Sequence, residues 1–231
     1  MPTIFDYDLV AAFHRRGCPM CRVLAKDEVT WMDTFWREGK SDARSRRAFL
    51  EAGGFCGRHA WLLHRRVSRA GSGAAIADVY GSLARRDLGW LESLIPDLTG
   101  ARRRRGRRLR RGRCSACLAS EADLERKSGF LVRALADEPE VRRQYTASDG
   151  LCFTHFAGAL EAAADAPETA RFLAEDWRNR LAEVGDRLSD YDRKRDYRYA
   201  AERTADDQRS WTDIVRLYAG EPRESAGPSP K

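Results

Sequence analysis

Three features of the 231-residue sequence predict an all-α fold. Apolar residues recur at helical spacing, most clearly in Leu173, Trp177, Leu181, Val184, Leu188 and Tyr191, which lie along one face of a helix. No segment sustains the apolar–polar alternation of a strand. Glycines stand where helices should stop, at Gly53-Gly54 and at Gly150.

In chain order the pattern places helices near residues 5–16, 20–38, 42–53, 56–70, 73–95, 115–136, 139–147, 152–164, 168–196 and 210–219. The second ends at a turn near Gly39-Lys40-Ser41, and the third runs from that turn to the glycine pair. Asp137-Glu138-Pro139 opens the seventh, since proline suits the first helical position. The long ninth carries the apolar stripe. Ser210-Trp211-Thr212-Asp213 opens the tenth as a weak capping box. Trp211, Ile214, Val215 and Tyr218 then give it an apolar face that docks on the body. Residues 220–231 read as a disordered tail.

The chain is long enough to bury a core. It holds 42 Lys and Arg against 35 Asp and Glu, a net charge of +7. Nine arginines lie in residues 101–113, ARRRRGRRLRRGR; without them the remaining charge is −2. The basic character therefore belongs to one segment. Arginines outnumber lysines 37 to 5, a bias that also fits a GC-rich coding sequence. No apolar run approaches the roughly 18 residues of a membrane span. The N-terminus lacks a secretory design, so a soluble cytoplasmic protein is expected, with no membrane partner.

The six cysteines and two of the four histidines form a repeat. Cys18, Cys21, Cys56 and His59 recur at an offset of 96 as Cys114, Cys117, Cys152 and His155. Each set reads Cys-x2-Cys, a spacer of 34 residues, then Cys-x2-His, and no cysteine is left over. The flanks repeat too: Gly54-Phe55-Cys56 matches Gly150-Leu151-Cys152, Phe49 matches Tyr145, and Phe35 matches Leu131. This is an internal duplication.

A helix of about 18 residues runs out roughly 27 Å, and a shorter helix returns from the turn. The spacer thus reads as a helical hairpin that brings the CxxC and CxxH pairs of one copy to the same end. The other arrangement, with Cys18 and Cys21 meeting Cys152 and His155, follows if the halves intertwine. Residues i and i+3 share a helix face, and a cysteine at a helix start is helped toward thiolate by the helix dipole. Three thiolates and one imidazole saturate a tetrahedral zinc ion and leave no position for substrate. The expectation is two structural zinc ions per chain. Iron–sulfur clusters are the alternative on the same ligands, and Cys18-Pro19-Met20-Cys21 alone would suit a redox dithiol.

The paired CPxC and G(F/L)CxxH elements, with Arg195-Asp196-Tyr197-Arg198 and Ser210-Trp211, resemble an uncharacterised bacterial family of duplicated cysteine-rich proteins. The resemblance covers nearly the whole chain. It implies no established activity and supports only the eight ligands. Ser115 stands where the first copy has Pro19, a departure that leaves the ligands intact.

Other features have plainer readings. His14 has no counterpart, since position 110 is Arg, and reads as a surface residue. His64 lies five positions after His59, about 140° around the helix, and points away from the metal. Trp31, Trp36, Trp90, Trp177 and Tyr191 read as core at helical spacing. No dinucleotide, phosphate-loop, hydrolase-elbow or HExxH motif occurs, so no enzyme activity is expected. The division expected is 1–95 for the first metal module, 96–113 for an arginine-rich linker, 114–205 for the second module and 206–231 for a docking helix and tail. The function expected is a zinc-stabilised interaction or scaffold protein with an unidentified protein partner. Its rivals are an iron–sulfur electron-transfer or sensor protein, and a zinc-dependent nucleic-acid or polyanion binder using residues 101–113.

Overall fold

The computed structural model describes residues 4–71, 73–99, 112–204 and 207–222. Most of the arginine run and the end of the tail lie outside them. The described elements are all helical, and all ten expected helices are present. They are α1 (Ile4–Ala12), α2 (Pro19–Thr34), α3 (Ala43–Glu51), α4 (Gly57–Arg69), α5 (Ala74–Thr99), α6 (Ser115–Asp137), α7 (Pro139–Ala147), α8 (Phe153–Ala162), α9 (Pro167–Arg193) and α10 (Asp207–Ala219). Among the described residues, no helix is long and apolar enough to cross a membrane.

The compact units do not follow the two copies of the duplication. Unit one comprises residues 1–26 and 122–231, and unit two comprises residues 27–121. Both crossings fall inside helices, α2 and α6.

In unit one the first turns of α2, through Met20 and Val23, share a core with Leu131 and Leu135 near the end of α6. Leu9 and Phe13 from the α1 segment, Tyr145 of α7, Leu151 and Leu173 of α9 complete it. The stripe on α9 faces inward as expected, with Leu173 and Val184 buried and the others half-buried. Arg180 of α9 fixes the end of α7. Its Nη1 donates to Ser148 O at 2.6 Å, while Nε donates to Asp176 at 2.7 Å. Gly150 has φ +71°, and a Cβ there would lie 2.4 Å from Arg180 Nε. Glycine is therefore required by conformation and by space.

Unit two is built around aromatic rings. Phe35, Phe49 and Phe55 are buried, with centroids 4.8 to 6.0 Å apart. Trp31 stacks on Phe35 at 5.7 Å, and Tyr80 meets Phe49 edge-on at 5.2 Å. α2 ends in a π turn, Phe35–Gly39, where Lys40 N donates to Phe35 O at 2.9 Å. Asp42 then caps α3 by accepting from Ser45 N at 2.7 Å. Trp31, Trp36, Trp90, Trp177 and Tyr191 all prove half-buried rather than fully interior.

The last helix departs from expectation at its start. Thr204 and Asp207 exchange hydrogen bonds in the manner of a capping box, Thr204 N to Asp207 Oδ2 at 2.6 Å and Asp207 N to Thr204 Oγ1 at 3.3 Å. The expected start at Ser210 is instead one turn inside the helix. The buried face also differs from the expected one: Ser210 and Leu217 are buried, while Trp211, Val215 and Tyr218 are about half exposed.

Candidate metal centres

Each of the eight expected ligands stands at the start of a helix. Cys56 and Cys152 are the N-caps of α4 and α8, with extended backbone at ψ 164° and 163°. Cys18 and Cys114 immediately precede α2 and α6. The partner of each lies three residues on, in the first turn. A side chain at the cap and one at the third helical position both reach the helix N-terminus, where the dipole favours negative charge.

The structure brings these residues together in two groups, with the ligand atoms of each group within 4.8 Å of one another. Centre one, in unit one, holds Cys18, Cys21, Cys152 and His155. Centre two, in unit two, holds Cys56, His59, Cys114 and Cys117. Each takes its CxxC from one copy and its CxxH from the other. The hairpin expected to close within a copy does not close. The outward stroke is 16 residues of α2 plus 5 in the π turn, and the return stroke, α3, is only 9. At 1.5 Å per residue the return recovers about 13 Å of roughly 30 Å, so the return stroke is less than half the outward one. The second copy repeats the imbalance, with 23 residues in α6 and 9 in α7.

In centre one, His155 Nδ1 lies 3.3 Å from Cys18 Sγ, 3.3 Å from Cys21 Sγ and 3.2 Å from Cys152 Sγ. Cys21 Sγ and Cys152 Sγ are 3.7 Å apart. In centre two, His59 Nδ1 lies 3.2 Å from Cys56, 3.6 Å from Cys114 and 3.4 Å from Cys117, and Cys56 and Cys117 are 3.7 Å apart. All six cysteines are free thiols.

Burial and hydrogen bonding divide the thiols of each centre. In centre two, burial opposes ionisation of Cys114, but hydrogen bonds from His59 and from backbone N–H groups bring its thiol down to about 6. Burial and the neighbouring Cys56 push Cys117 up to about 12. His59 is held up at about 10 despite burial, by the thiols and Glu28. Centre one divides the same way. Hydrogen bonds from Cys18 and Cys21 hold Cys152 far below the thiol range, while burial raises Cys18. His155 stands at about 9 against the cost of burial, supported by Cys152 and Cys21. One thiolate forms readily, and a second beside it is repelled. A divalent cation at the middle of the four ligand atoms removes that repulsion, so the donor set fits a metal ion.

One functional residue lay outside the sequence reading. Glu28 of α2 is buried, and its Oε1 accepts from His59 Nε2 while its Oε2 accepts from Arg58. Two partners outweigh burial and hold its carboxyl below the ordinary range. A carboxylate behind a ligating histidine fixes the ring and its tautomer. The signal was present in the repeat: at the same offset the second copy has Leu124, so an acid replaces an apolar residue on an inward face. Among the described residues no carboxylate hydrogen-bonds His155. The exposed His14 and His64 join neither centre.

These features define a class: an all-α protein with two three-thiol, one-imidazole centres, each made from both halves of a duplication. The chain belongs to DUF6062, a family of unknown function, whose family model matches residues 3–217. No curated protein and no solved structure matches it.

Proposed function

We propose that each centre holds one structural zinc ion and that the protein is a metal-stabilised helical scaffold or interaction protein without catalytic activity. The observation that carries this reading is the spacing of the ligand atoms. Bonds of about 2.3 Å to sulfur and 2.0–2.1 Å to nitrogen put the ligands of a tetrahedral ion about 3.5–3.8 Å apart. Eight of the twelve ligand pairs stand 3.2 to 3.7 Å apart, and all twelve lie within 4.8 Å. That compactness supports a single ion over an iron–sulfur cluster, whose ligands are divided among several irons and must stand farther apart. Four protein ligands close the coordination sphere, so the ion holds segments together and offers substrate no place. Binding energy of about 10–16 kcal/mol for structural zinc is of the order of a whole folding margin of about 5–15 kcal/mol.

Elemental analysis of the purified protein tests the reading. The expected result is two zinc ions per chain and a colourless solution. Iron with acid-labile sulfide, in a brown protein, would overturn it.

A further inference from the structure

We infer that the two centres differ in kind: centre two is a permanent staple, whereas centre one exchanges its ion under the control of a C-terminal strap, residues 219–222. The inference rests on the zinc reading and adds a regulation to one of its two sites.

The strap is carried by α10, which has no counterpart among the described residues of unit two. It leaves the helix at Gly220, with φ +76°, and crosses centre one so closely that a Cβ on Gly220 would lie 2.7 Å from Cys21 Sγ and 3.2 Å from Cys152 Sγ. Only glycine permits both the backbone conformation and the approach. Glu221 anchors the crossing. Its carboxylate lies 3.4 Å from Arg216 Nε, and its side chain fills the space beside Gly17, where a Cβ would meet Glu221 Oε1 at 1.9 Å. The strap therefore covers two of the three thiols, and beyond Gly220 it is pinned by the partly exposed Glu221–Arg216 pair. A segment pinned by such local contacts opens at lower cost than a packed core.

Two further observations separate the centres. A cavity of about 220 Å³ reaches Cys18 and Cys152 and is bounded on one side by Asp213, Arg216 and Leu217 of α10. Lifting α10 would join that space to the strap's side of the centre. The second observation is the His59–Glu28–Arg58 chain of centre two, which centre one replaces with Leu124. Among the described residues no carboxylate hydrogen-bonds its histidine, whose contacts at Nδ1 are the three thiols.

The test follows release of metal from the full-length protein into excess chelator, with maleimide labelling of each cysteine read by mass spectrometry. The wild type should lose one ion per chain in each of two separate phases, with Cys21 and Cys152 labelled in the earlier one. Gly220→Val should displace the strap and accelerate that phase about tenfold, as a lowered local opening cost would, leaving the other unchanged. Glu221→Ala, which adds no bulk, should accelerate the same phase less and serves as the test should the valine variant misfold. Gly185→Ala, at a site with open space, should change neither. Release in a single phase overturns the inference, as does insensitivity of the earlier phase to both strap variants or equal acceleration of the two phases. A protein isolated without metal would defeat the zinc reading instead. The strap would then still be judged by whether Gly220→Val hastens labelling of Cys21 and Cys152 over Cys56 and Cys117.

Discussion

Unit one and unit two receive the same ligands at the same spacing and fill the space behind them differently. Phe35, Phe49 and Phe55 of unit two correspond to Leu131, Tyr145 and Leu151 of unit one. A cluster of rings with centroids about 5 to 6 Å apart becomes a mainly aliphatic core with one buried tyrosine. The closing contacts of the short helices diverge as well. Arg180 binds the last carbonyls of α7, and Arg86 reaches Leu50 O of α3 from another register. The difference teaches which parts of the duplicated module are interchangeable. Apolar volume can be redistributed between aromatic and aliphatic side chains. The cap-and-first-turn placement of the Cys and His residues recurs unchanged and gathers four donor atoms around one point in each unit.

The largest expected effect tests whether the centres draw on both copies. Cys18→Ser with Cys152→Ser should abolish one metal and leave the other. Cys18→Ser with Cys56→Ser should abolish both. Metal counting by mass spectrometry checks this, and pairing within a copy would give the opposite result.

Next in size is the aromatic core. Phe49→Ala should destabilise unit two by about 3–5 kcal/mol, the usual cost of deleting a buried ring. Hydrogen exchange should then show loss of protection in α3 and α5 while α7 and α9 keep theirs. Phe55→Leu, the residue type that unit one uses, should cost less than about 1.5 kcal/mol.

Glu28→Gln sharpens the contrast between the histidines. It should weaken metal binding at centre two by about 10–100-fold and leave centre one as it was. A chelator titration resolves the two.

The smallest effect concerns the starts of the short helices. α3 is capped by the Asp42 carboxylate, held below its ordinary value by the Ser45 N–H, while α7 opens on Pro139. A carboxyl depressed in the folded state contributes stability above the unfolded value of about 3.9. That contribution is lost as pH falls through the lower folded value. Acid melting of the wild type should therefore include a small component from unit two that Asp42→Asn lacks.

Much of this was legible in one dimension. The ten helices follow from periodicity and stop signals, and Gly54 and Gly150 do take the positive φ values, +89° and +71°, that their positions before Cys56 and Cys152 suggested. The start of α10 was misplaced because Ser210 and Thr204 both offer a hydroxyl three residues before an acid, and only the backbone shows which one the helix uses. Glu28 was overlooked because a lone acid on a helix is usually solvated. Comparing it with Leu124 would have marked it.

The sequence by itself determined the all-helical class, the duplication and the eight cysteines and histidines that gather in two groups able to hold a metal ion, since these depend on local spacing and residue chemistry. Only the tertiary structure decided which ligands meet. Spacing puts Cys18 near Cys21 and Cys56 near His59, within a turn of helix. Which pair faces which depends on where whole helices end, and nine residues of α3 cannot retrace the length of α2. The CxxC of each copy is therefore completed by the CxxH of the other.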